Sequence, residues 1–429
     1  MDIFVLLATM LVCFLIGVPI AYSLALAAIA GAAWIGVPLE AVMLKISEGV
    51  SKVAMLTIPF FVLAGAIMAE GGMARRLVRF ADVLVGVTRV RGGLSVVNVV
   101  ATTFLSGISG SAVADTSAIG SVMIPQMENS GFPRVFATNV TITASVQALL
   151  VPPSHNAVIY SLATGGTISI ISLFMAGVLP GLLLGFSLVI LCLVMAYRDG
   201  HPRGQMVPLR DAGKIVIEAL WGLITLAIIL GGILGGVFTA IEAGAVACVW
   251  ALFVTMFIYR DYRWRDLPAL VHRTLSTVAM VMTLIACASS VGYVMALTQM
   301  PAKMTAFFLA ISNDKNVILF LINILLLVFG CLVDMAPSIL ICTPILLPVM
   351  MNFGVDPVHF GMIMLLNLGI GLCHPPVGAI LFVGCAVGRV SIEEVMRRIW
   401  PFYGVMFVVL MLVTYIPAIS LWLPRRLGL

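Results

Sequence analysis

Two lone carboxylates, Asp115 and Asp334, lie inside otherwise apolar stretches of similar design. Asp115 follows the run that begins Ser106-Gly-Ile-Ser-Gly-Ser and precedes Pro125 by ten residues, and Asp334 precedes Pro344 by ten residues. A charged side chain at the middle of a membrane costs about 2.5–3.5 kcal/mol on insertion scales. Carboxylates retained at that cost are candidates for binding a cation or for organising a cation site.

The glycine-serine run 106–111 has the composition of a binding loop for a hard cation. Small residues let backbone carbonyls turn inward, and serine hydroxyls add neutral oxygens of the kind that sodium prefers. A helix that begins near residues 112–117 would direct its partly positive amino-terminal end at the same place, where it could hold a substrate carboxylate. Two structural alternatives stay open, namely aspartates that cap helix starts and a packing patch of small residues.

Each carboxylate is followed, further along the chain, by a proline pair: Pro152-Pro153 and Pro375-Pro376. Proline breaks a helix and frees the carbonyls of the preceding turn, which is tolerated in a membrane where those carbonyls line a cavity or meet an ion. Asn156 after the first pair is a candidate ligand for substrate or ion. His374 beside the second pair is interpreted as a packing residue or as a proton carrier.

The composition places these motifs in a membrane. Of 429 residues, 62% are hydrophobic and 10% are charged, against about 25% charged in soluble domains. Apolar runs of about 20 residues recur, as spanning helices require. The eight cysteines have no metal or redox spacing, the net charge of +5 needs no nucleic acid to explain it, and no nucleotide loop or nucleophile–base pair is present. We therefore predict an integral membrane protein that is not an enzyme.

The order of motifs occurs twice, which predicts an all-α polytopic protein with two repeats. Short apolar arms with polar tips indicate re-entrant hairpins rather than full crossings. We expect the repeats to be inverted, because duplications of a hairpin plus a broken helix generally are. The predicted parts are a first repeat 1–197 with a hairpin 92–127 and a broken helix 135–163, a polar linker 198–214, and a second repeat 215–429 with a hairpin 317–350 and a broken helix 358–388.

Three other segments carry polar residues. Arg75, Arg76 and Arg79 within one helical turn predict an interfacial helix. Ser391 with Glu394 three residues later predicts a capping box. Glu242 is interpreted as a structural, hydrogen-bonded glutamate between helices rather than a site residue.

The run from Ser106 to Asp115, the segment Gly236-Val-Phe-Thr-Ala-Ile-Glu-Ala and the late Pro-Pro helix resemble the large membrane subunit (DctM-like) of tripartite ATP-independent periplasmic (TRAP) transporters. This resemblance implies a sodium-driven, elevator-type importer in a bacterial inner membrane. It also implies a small four-helix membrane subunit as a separate chain, a periplasmic substrate-binding protein and an organic acid substrate, with the lipid bilayer as surroundings.

The resemblance, extended by the internal repeat, also names residues. No cofactor is expected, and sodium is the expected coupling ion. Sodium is expected to bind at eight residues: Ser106, Gly107, Gly110, Asp115, Gly330, Asp334, Gly371 and His374. The organic acid is expected at five others: Ser111, Thr116, Ser154, Asn156 and Ser338. The sequence Pro152-Pro-Ser-His-Asn156 resembles the version in members that handle sugar acids.

These observations predict sodium-coupled import of an organic acid, of the sugar acid or C4-dicarboxylate class. One alternative is an ion-coupled carrier that works without a binding protein. Another is a channel or a scaffold subunit without transport of its own, although channels need no duplicated broken helices.

Overall fold

The computed structural model describes residues 2–86, 90–203 and 209–429, and within these ranges the chain is helical, with no β-strand. Residues 87–89, and residues 204–208 of the predicted linker, lie outside the described part. The first ten helices are α1 Asp2–Leu15, α2 Ile20–Trp34, α3 Leu39–Val50, α4 Thr57–Glu70, α5 Met73–Gly86, α6 Gly93–Ser109, α7 Ala112–Asn129, α8 Arg134–Ala144, α9 His155–Ala163 and α10 Ile170–Arg198.

Eleven further helices follow the linker. They are α11 Leu209–Leu234, α12 Ala240–Phe253, α13 Leu267–Leu297, α14 Met300–Ile311, α15 Lys315–Leu332, α16 Met335–Asn352, α17 Pro357–Gly371, α18 Ala379–Gly388, α19 Ile392–Arg398, α20 Trp400–Tyr415 and α21 Ala418–Arg426. Short 3₁₀ turns at Val53–Leu56 and Ser145–Leu149 and a π turn at Val254–Ile258 join or extend them. Because α11 begins at Leu209, the last part of the predicted linker is helical.

Membrane crossing is possible for a subset of these helices. In the described part of the chain, seven helical segments are long and apolar enough to span a bilayer, or eight if the bent pair α19–α20 counts as one span. The longest are α10 with 29 residues and α13 with 31 residues, which exceed the roughly 20 residues that span the hydrocarbon core. The chain is therefore a polytopic helical membrane protein.

Two helix pairs form hairpins whose tips have only two non-helical residues. Hairpin 1 is α6 and α7, joined at Gly110-Ser111, and hairpin 2 is α15 and α16, joined at Val333-Asp334. The helix α6 has 17 residues, fewer than the roughly 20 that a full crossing requires. Gly110 has φ +61°, a left-handed conformation that ends α6 without strain because glycine has no Cβ.

Each hairpin is followed by a helix interrupted at a proline pair. Broken helix 1 comprises α8, its 3₁₀ turn and α9, with a cis peptide bond between Pro152 and Pro153. Broken helix 2 comprises α17 and α18, with a cis peptide bond between Pro375 and Pro376. An asparagine holds each hairpin to its own broken helix, because Asn98 Nδ2 donates to Thr141 Oγ1 at 2.8 Å and Asn367 Nδ2 donates to Asn323 Oδ1 at 2.7 Å.

The two hairpins and the two broken helices also cross over. The helix α7 of hairpin 1 packs on α18 of broken helix 2, and α16 of hairpin 2 packs on α9 of broken helix 1. The Tyr160 hydroxyl on α9 donates to the backbone oxygen of Pro357, at the start of α17, at 2.8 Å. These four elements, which we call the inner group, therefore form one packed body. A hairpin followed by a broken helix thus occurs twice along the chain. The inverted relation of the two repeats stays a prediction.

A second set of helices packs beside the inner group. The long helix α13 lies against α2 and α3, α4 lies against α12, and the amphipathic α5 lies between α6 and α11. On α5, Leu77 and Val78 are buried while Arg75 and Arg79 are exposed, as the sequence pattern predicts for a helix at the membrane surface. Arg76 makes an ion pair with Asp261, which links this helix to the segment between the π turn and α13.

The crossover contact of Tyr160 gives a stability prediction. Tyr160→Phe removes the hydrogen bond of a buried hydroxyl, so we expect the free energy of unfolding to fall by about 1 kcal/mol. Thermal unfolding of the purified protein in detergent would measure the change. Tyr22→Phe is the matched control, since Tyr22 is 59% exposed. Equal shifts for the two variants would show that the Tyr160 hydroxyl contributes nothing.

Candidate functional site

Asp115 lies on the first turn of α7 and is completely buried. Its carboxylate accepts a hydrogen bond from Ser106 Oγ at 2.7 Å and a short one from Ser109 Oγ. Both serines lie on the last turn of α6, three residues apart and so on one face. The interpretation of Asp115 as a helix cap is wrong, because Ser111 occupies the cap position and accepts from the Ala114 amide at 3.4 Å.

The two hydroxyls are oriented by this carboxylate. A serine hydroxyl has one hydrogen and two lone pairs. Ser106 and Ser109 both donate to Asp115, and Ser109 Oγ also accepts from the Ser111 amide at 3.2 Å, so each hydroxyl keeps at least one lone pair that a cation could use. Asp115 therefore acts through its neighbours: it fixes the direction in which two neutral oxygens point and supplies negative charge beside them.

The tip of hairpin 1 lies directly against the proline break of broken helix 1. A Cβ atom built on Gly110 would be 2.5 Å from the carbonyl oxygen of Pro153, and one built on Gly107 would be 3.5 Å from that of Pro152. The His155 ring lies against the Gly110 backbone. Carbonyl oxygens freed by the break thus meet the hydroxyl-bearing turn of α6, which brings together the predicted residues Ser106, Gly107, Gly110 and Asp115.

The tip of hairpin 2 meets broken helix 2 through backbone alone. A Cβ atom on Gly371 would be 2.5 Å from the carbonyl carbon of Gly330. The Val377 amide donates to the carbonyl of Cys331 at 3.1 Å. The absence of side chains at both glycines permits this contact, which brings together the predicted residues Gly330 and Gly371.

The other two residues predicted at the second cation site occupy different surroundings. Asp334 is exposed at the start of α16 and makes no side-chain capping hydrogen bond. The Nδ1 atom of His374 is 2.6 Å from the carbonyl oxygen of Pro375, and its ring lies 5.7 Å from that of Tyr403. The geometry of His374 favours the packing interpretation over a proton carrier. A direct role for either residue in binding a cation stays a prediction.

Four of the five predicted substrate residues use their side chains within the chain. Ser111 caps α7, and the other three hydroxyls donate to backbone carbonyls: Thr116 Oγ1 to Ala112, Ser154 Oγ to Leu149 and Ser338 Oγ to Val333. Thr116 also shares a hydrogen bond of 2.6 Å with Ser145 Oγ. The three hydroxyls that donate to carbonyls keep free lone pairs, but their hydrogens are already used in these bonds.

Asn156 is different from the other four. It lies on the first turn of α9, immediately after the break, and is only 3% exposed. Its carboxamide has no hydrogen-bond partner in the described part of the chain. Buried amides are normally paired, so Asn156 is the predicted residue best placed to bind a molecule that the protein receives.

The donor set at the first tip fits a hard monovalent cation. In the part of the chain that the structure describes, no three His, Cys, Asp or Glu side chains converge as a site for a transition metal. The oxygens near this tip are the hydroxyls of Ser106 and Ser109 and the carbonyls of the proline break, a donor set that suits sodium. Sequence reasoning did not select Ser109 or the proline carbonyls individually, although the spacing of Ser106 and Ser109 places them on one helical face.

Two polar groups outside the site have structural roles. Glu242 closes a capping box with Thr239, accepting from its amide at 2.8 Å, so it is a structural glutamate as predicted. Its placement between helices was wrong, because the residue is exposed at a helix start. The predicted capping box of Ser391 and Glu394 at the start of α19 is confirmed.

The fold and this site define a membrane transport protein built on polar hairpin tips that contact broken helices. A profile of the family described as "Tripartite ATP-independent periplasmic transporter, DctM component" matches residues 7–419. The chain belongs to this family. It is consequently a transporter permease subunit of the bacterial inner membrane and not an enzyme.

Individual relatives match nearly the whole chain. The "Uncharacterized protein YgiK" of Salmonella typhimurium is 40% identical over 99% of this chain and 97% of its own length. The C4-dicarboxylate TRAP transporter large permease protein DctM of Rhodobacter capsulatus is 36% identical over 100% of both chains. The 2,3-diketo-L-gulonate TRAP transporter large permease protein YiaN of Escherichia coli is 32% identical over 94% of both chains.

A solved structure shows a similar fold. The Alcanivorax borkumensis YdaH transporter superimposes with a TM-score of 0.63 at 15% identity, over 91% of this chain and 89% of that one. At this identity the likeness concerns the arrangement of helices alone.

The contrast between the two aspartates gives a prediction that needs no transport assay. Asp115→Ala removes two charge-assisted hydrogen bonds in a buried place, so we expect the free energy of unfolding to fall by about 3 kcal/mol. Asp334→Ala is the matched control, because its exposed carboxylate makes no capping bond and should change stability by less than about 0.5 kcal/mol. Thermal unfolding in detergent compares them, and similar losses would refute the organising role of Asp115.

Proposed function

We propose that this subunit imports an organic acid together with sodium ions, after a periplasmic binding protein delivers the acid. The observation that carries the proposal is the pair of hydroxyls held by Asp115 on the end of α6, where Gly107 and Gly110 lie against the carbonyls of Pro152 and Pro153. Oxygens of this kind in a buried, water-poor place attract a hard cation strongly. The ion gradient would then supply the energy, because the family is ATP-independent by its description.

The substrate is proposed to be a small carboxylate. The amino-terminal end of α7 faces the same tip, where unpaired amides and the helix dipole favour an anion. Asn156, unpartnered on α9, supplies a second polar contact beside it. Relatives of similar identity are named for a C4-dicarboxylate and for 2,3-diketo-L-gulonate. Both are organic acids, which supports the carboxylate class and leaves the sugar acid and C4-dicarboxylate subclasses as alternatives.

Binding of cation and acid is coupled in this proposal through the tip of hairpin 1. A sodium ion on Ser106 and Ser109 would offset the negative charge of Asp115 and of an incoming carboxylate. Without the ion, two negative groups near one tip would repel each other. The acid would therefore bind tightly only where sodium is abundant, which is the requirement for symport.

The movement is proposed to be of the elevator type. The crossover packing of α7 on α18 and of α9 on α16 makes the inner group a single body. The helices α2, α3 and α13, which pack on one another, form a separate support beside it. A rigid inner group sliding against this support would carry its site across the membrane.

Partners follow from the tripartite family. Membership implies a small membrane subunit and a periplasmic binding protein. We propose that the small subunit is a separate four-helix chain. We also propose that substrate choice depends largely on the binding protein, because it delivers the acid.

Sodium coupling makes a sharp prediction for Ser109. Ser109→Ala removes one candidate oxygen and one donor to Asp115, so we expect the half-saturating sodium concentration for uptake to rise about tenfold, or about 1.4 kcal/mol. The assay is uptake into proteoliposomes that contain the subunit with its two partners. Ser121→Ala, an exposed serine on the same hairpin, is the control.

Several outcomes of this assay would contradict the proposal. Uptake that ignores the sodium gradient would refute coupling, and an unchanged sodium curve for Ser109→Ala would refute the site. Uptake with the binding protein left out would instead indicate a carrier that needs no delivery, and discrete single-channel conductance would indicate a channel.

The substrate role of Asn156 is tested in the same preparation. Asn156→Ala deletes an unpartnered carboxamide, so the uptake rate at saturating binding protein should fall about tenfold, while the half-saturating sodium concentration stays unchanged. Asn352→Ala, at an exposed asparagine on α16, should leave both quantities unchanged. A shift of the sodium curve with Asn156→Ala would assign this residue to the cation instead.

A further inference from the structure

A cavity of about 230 Å³ lies away from the hairpin tips, where the end of α10 meets α8 and the bend between α19 and α20. The polar side chains that line it are Asn139, Asp199, His201 and Arg398, and its apolar walls include Phe136 and Phe402. This volume exceeds the space that one water molecule needs and is below that of a drug-sized pocket. It is suited to a small polar group.

Two buried polar atoms at this cavity have no partner in the structure. His201 is 7% exposed and its Nδ1 makes no hydrogen bond, and Asn139 is fully buried with an unpaired Oδ1. The His201 ring is held in place by Phe132 and Phe136, with centroid distances of 5.1 and 4.6 Å. An unpaired buried polar atom costs about 1–3 kcal/mol, so a molecule in the cavity that supplied the missing partners would be stabilised there.

The charges at the cavity favour an anion that also carries a hydroxyl. Arg398 makes no ion pair within the described residues, whereas its neighbour Arg397 pairs with Glu393 at 2.6 Å. The Asp199 carboxylate pairs with Arg198 at 2.8 Å, which lowers the Asp199 pKa, and Arg398 lowers it further from a longer distance without making an ion pair with it. Burial lowers the pKa of His201, which Asp199 opposes only in part, so the imidazole is neutral at pH 7. The free groups are thus a guanidinium, an amide oxygen that accepts and a neutral imidazole.

The cavity opens at the level of the membrane surface. The short helix α19 ends with Arg397 and Arg398, and α20 then begins with Trp400, which is 63% exposed, and continues as an apolar helix. Tryptophan at the start of an apolar helix and arginines just outside it mark the interface between lipid and water. Phospholipid headgroups lie at this depth.

We propose that this cavity binds a glycerol phosphate group. The phosphate would pair with Arg398, since guanidinium and phosphate match in charge and geometry. A glycerol hydroxyl would donate to Asn139 Oδ1, and a second would pair with His201 Nδ1. The group can come from the headgroup of an anionic phospholipid, phosphatidylglycerol, or from free glycerol phosphate.

Such a ligand would bridge the two halves of the chain. Asn139 Nδ2 already donates to the carbonyl of Val395 at 3.4 Å, and Arg134 Nε donates to that of Gly388 at 2.6 Å. The bound group would add a contact between α8 and α19 at the surface of the inner group. Its expected effect is a higher thermal stability of the whole protein.

The test measures ligand-dependent thermal stability and native mass spectra of the delipidated full chain in detergent. The added probes are phosphatidylglycerol, phosphatidylethanolamine, sn-glycerol 3-phosphate and inorganic phosphate. Phosphatidylglycerol should raise the melting temperature, and Arg398→Gln should weaken its binding about tenfold. The matched control is Arg397→Gln, one residue away on the same helix and paired with Glu393.

A second variant keeps the test informative if Arg398→Gln folds poorly. His201→Phe preserves the aromatic packing while removing both nitrogens, and it should weaken phosphatidylglycerol binding several-fold. Binding of sn-glycerol 3-phosphate with the same variant pattern would support the site with a soluble source. Equal binding of phosphatidylglycerol and phosphatidylethanolamine, equal losses for the two arginine variants, or binding of inorganic phosphate alone would overturn the proposal.

Discussion

The hydrogen bonds from Ser106 and Ser109 to Asp115 are the interaction on which the first site depends. A carboxylate buried in a membrane protein must be satisfied by donors, or the hairpin tip would not stay buried. Here both donors come from the last turn of the opposite arm of the same hairpin. The same bonds therefore hold the two arms together beside the proline break. Stability of the tip and the cation binding proposed for it would then have one physical cause.

The two tips reach a similar arrangement by different means. Hairpin 1 uses a charged group and hydroxyls, whereas hairpin 2 uses the bare backbones of Gly330 and Gly371. The exposed Asp334 has no counterpart of the serine pair. Two halves of common order thus carry hairpin tips of unequal polarity. A site made of carbonyls alone binds through dipoles and shape, and a site with a carboxylate behind its hydroxyls adds net charge.

Much of this could be predicted from the sequence, since helix breaks depend on local chemistry. The tip glycines, the proline pairs and the capping box at Ser391 all act within a few residues. The hydrogen-bond partners of Asp115 were harder to predict from the sequence. Two serines in a glycine-rich run look the same in sequence whether they face a carboxylate or pack on a neighbouring helix. The exposure of Asp334 and the free carboxamide of Asn156 depend on contacts between distant helices. No local pattern encodes them.

The crossover packing has a consequence for how the protein is made. The helix α7 is complete at residue 129, but α18, against which it packs, begins at residue 379. At synthesis rates of about 5–20 residues per second, roughly 10 to 50 seconds separate the two. During that time the helix α7, with Asp115 on its first turn, lies in the bilayer without this neighbour. The internal hydrogen bonds of hairpin 1 to Asp115 satisfy the carboxylate from the outset, so the half-made protein can wait in the membrane without exposing an unpaired charge to lipid.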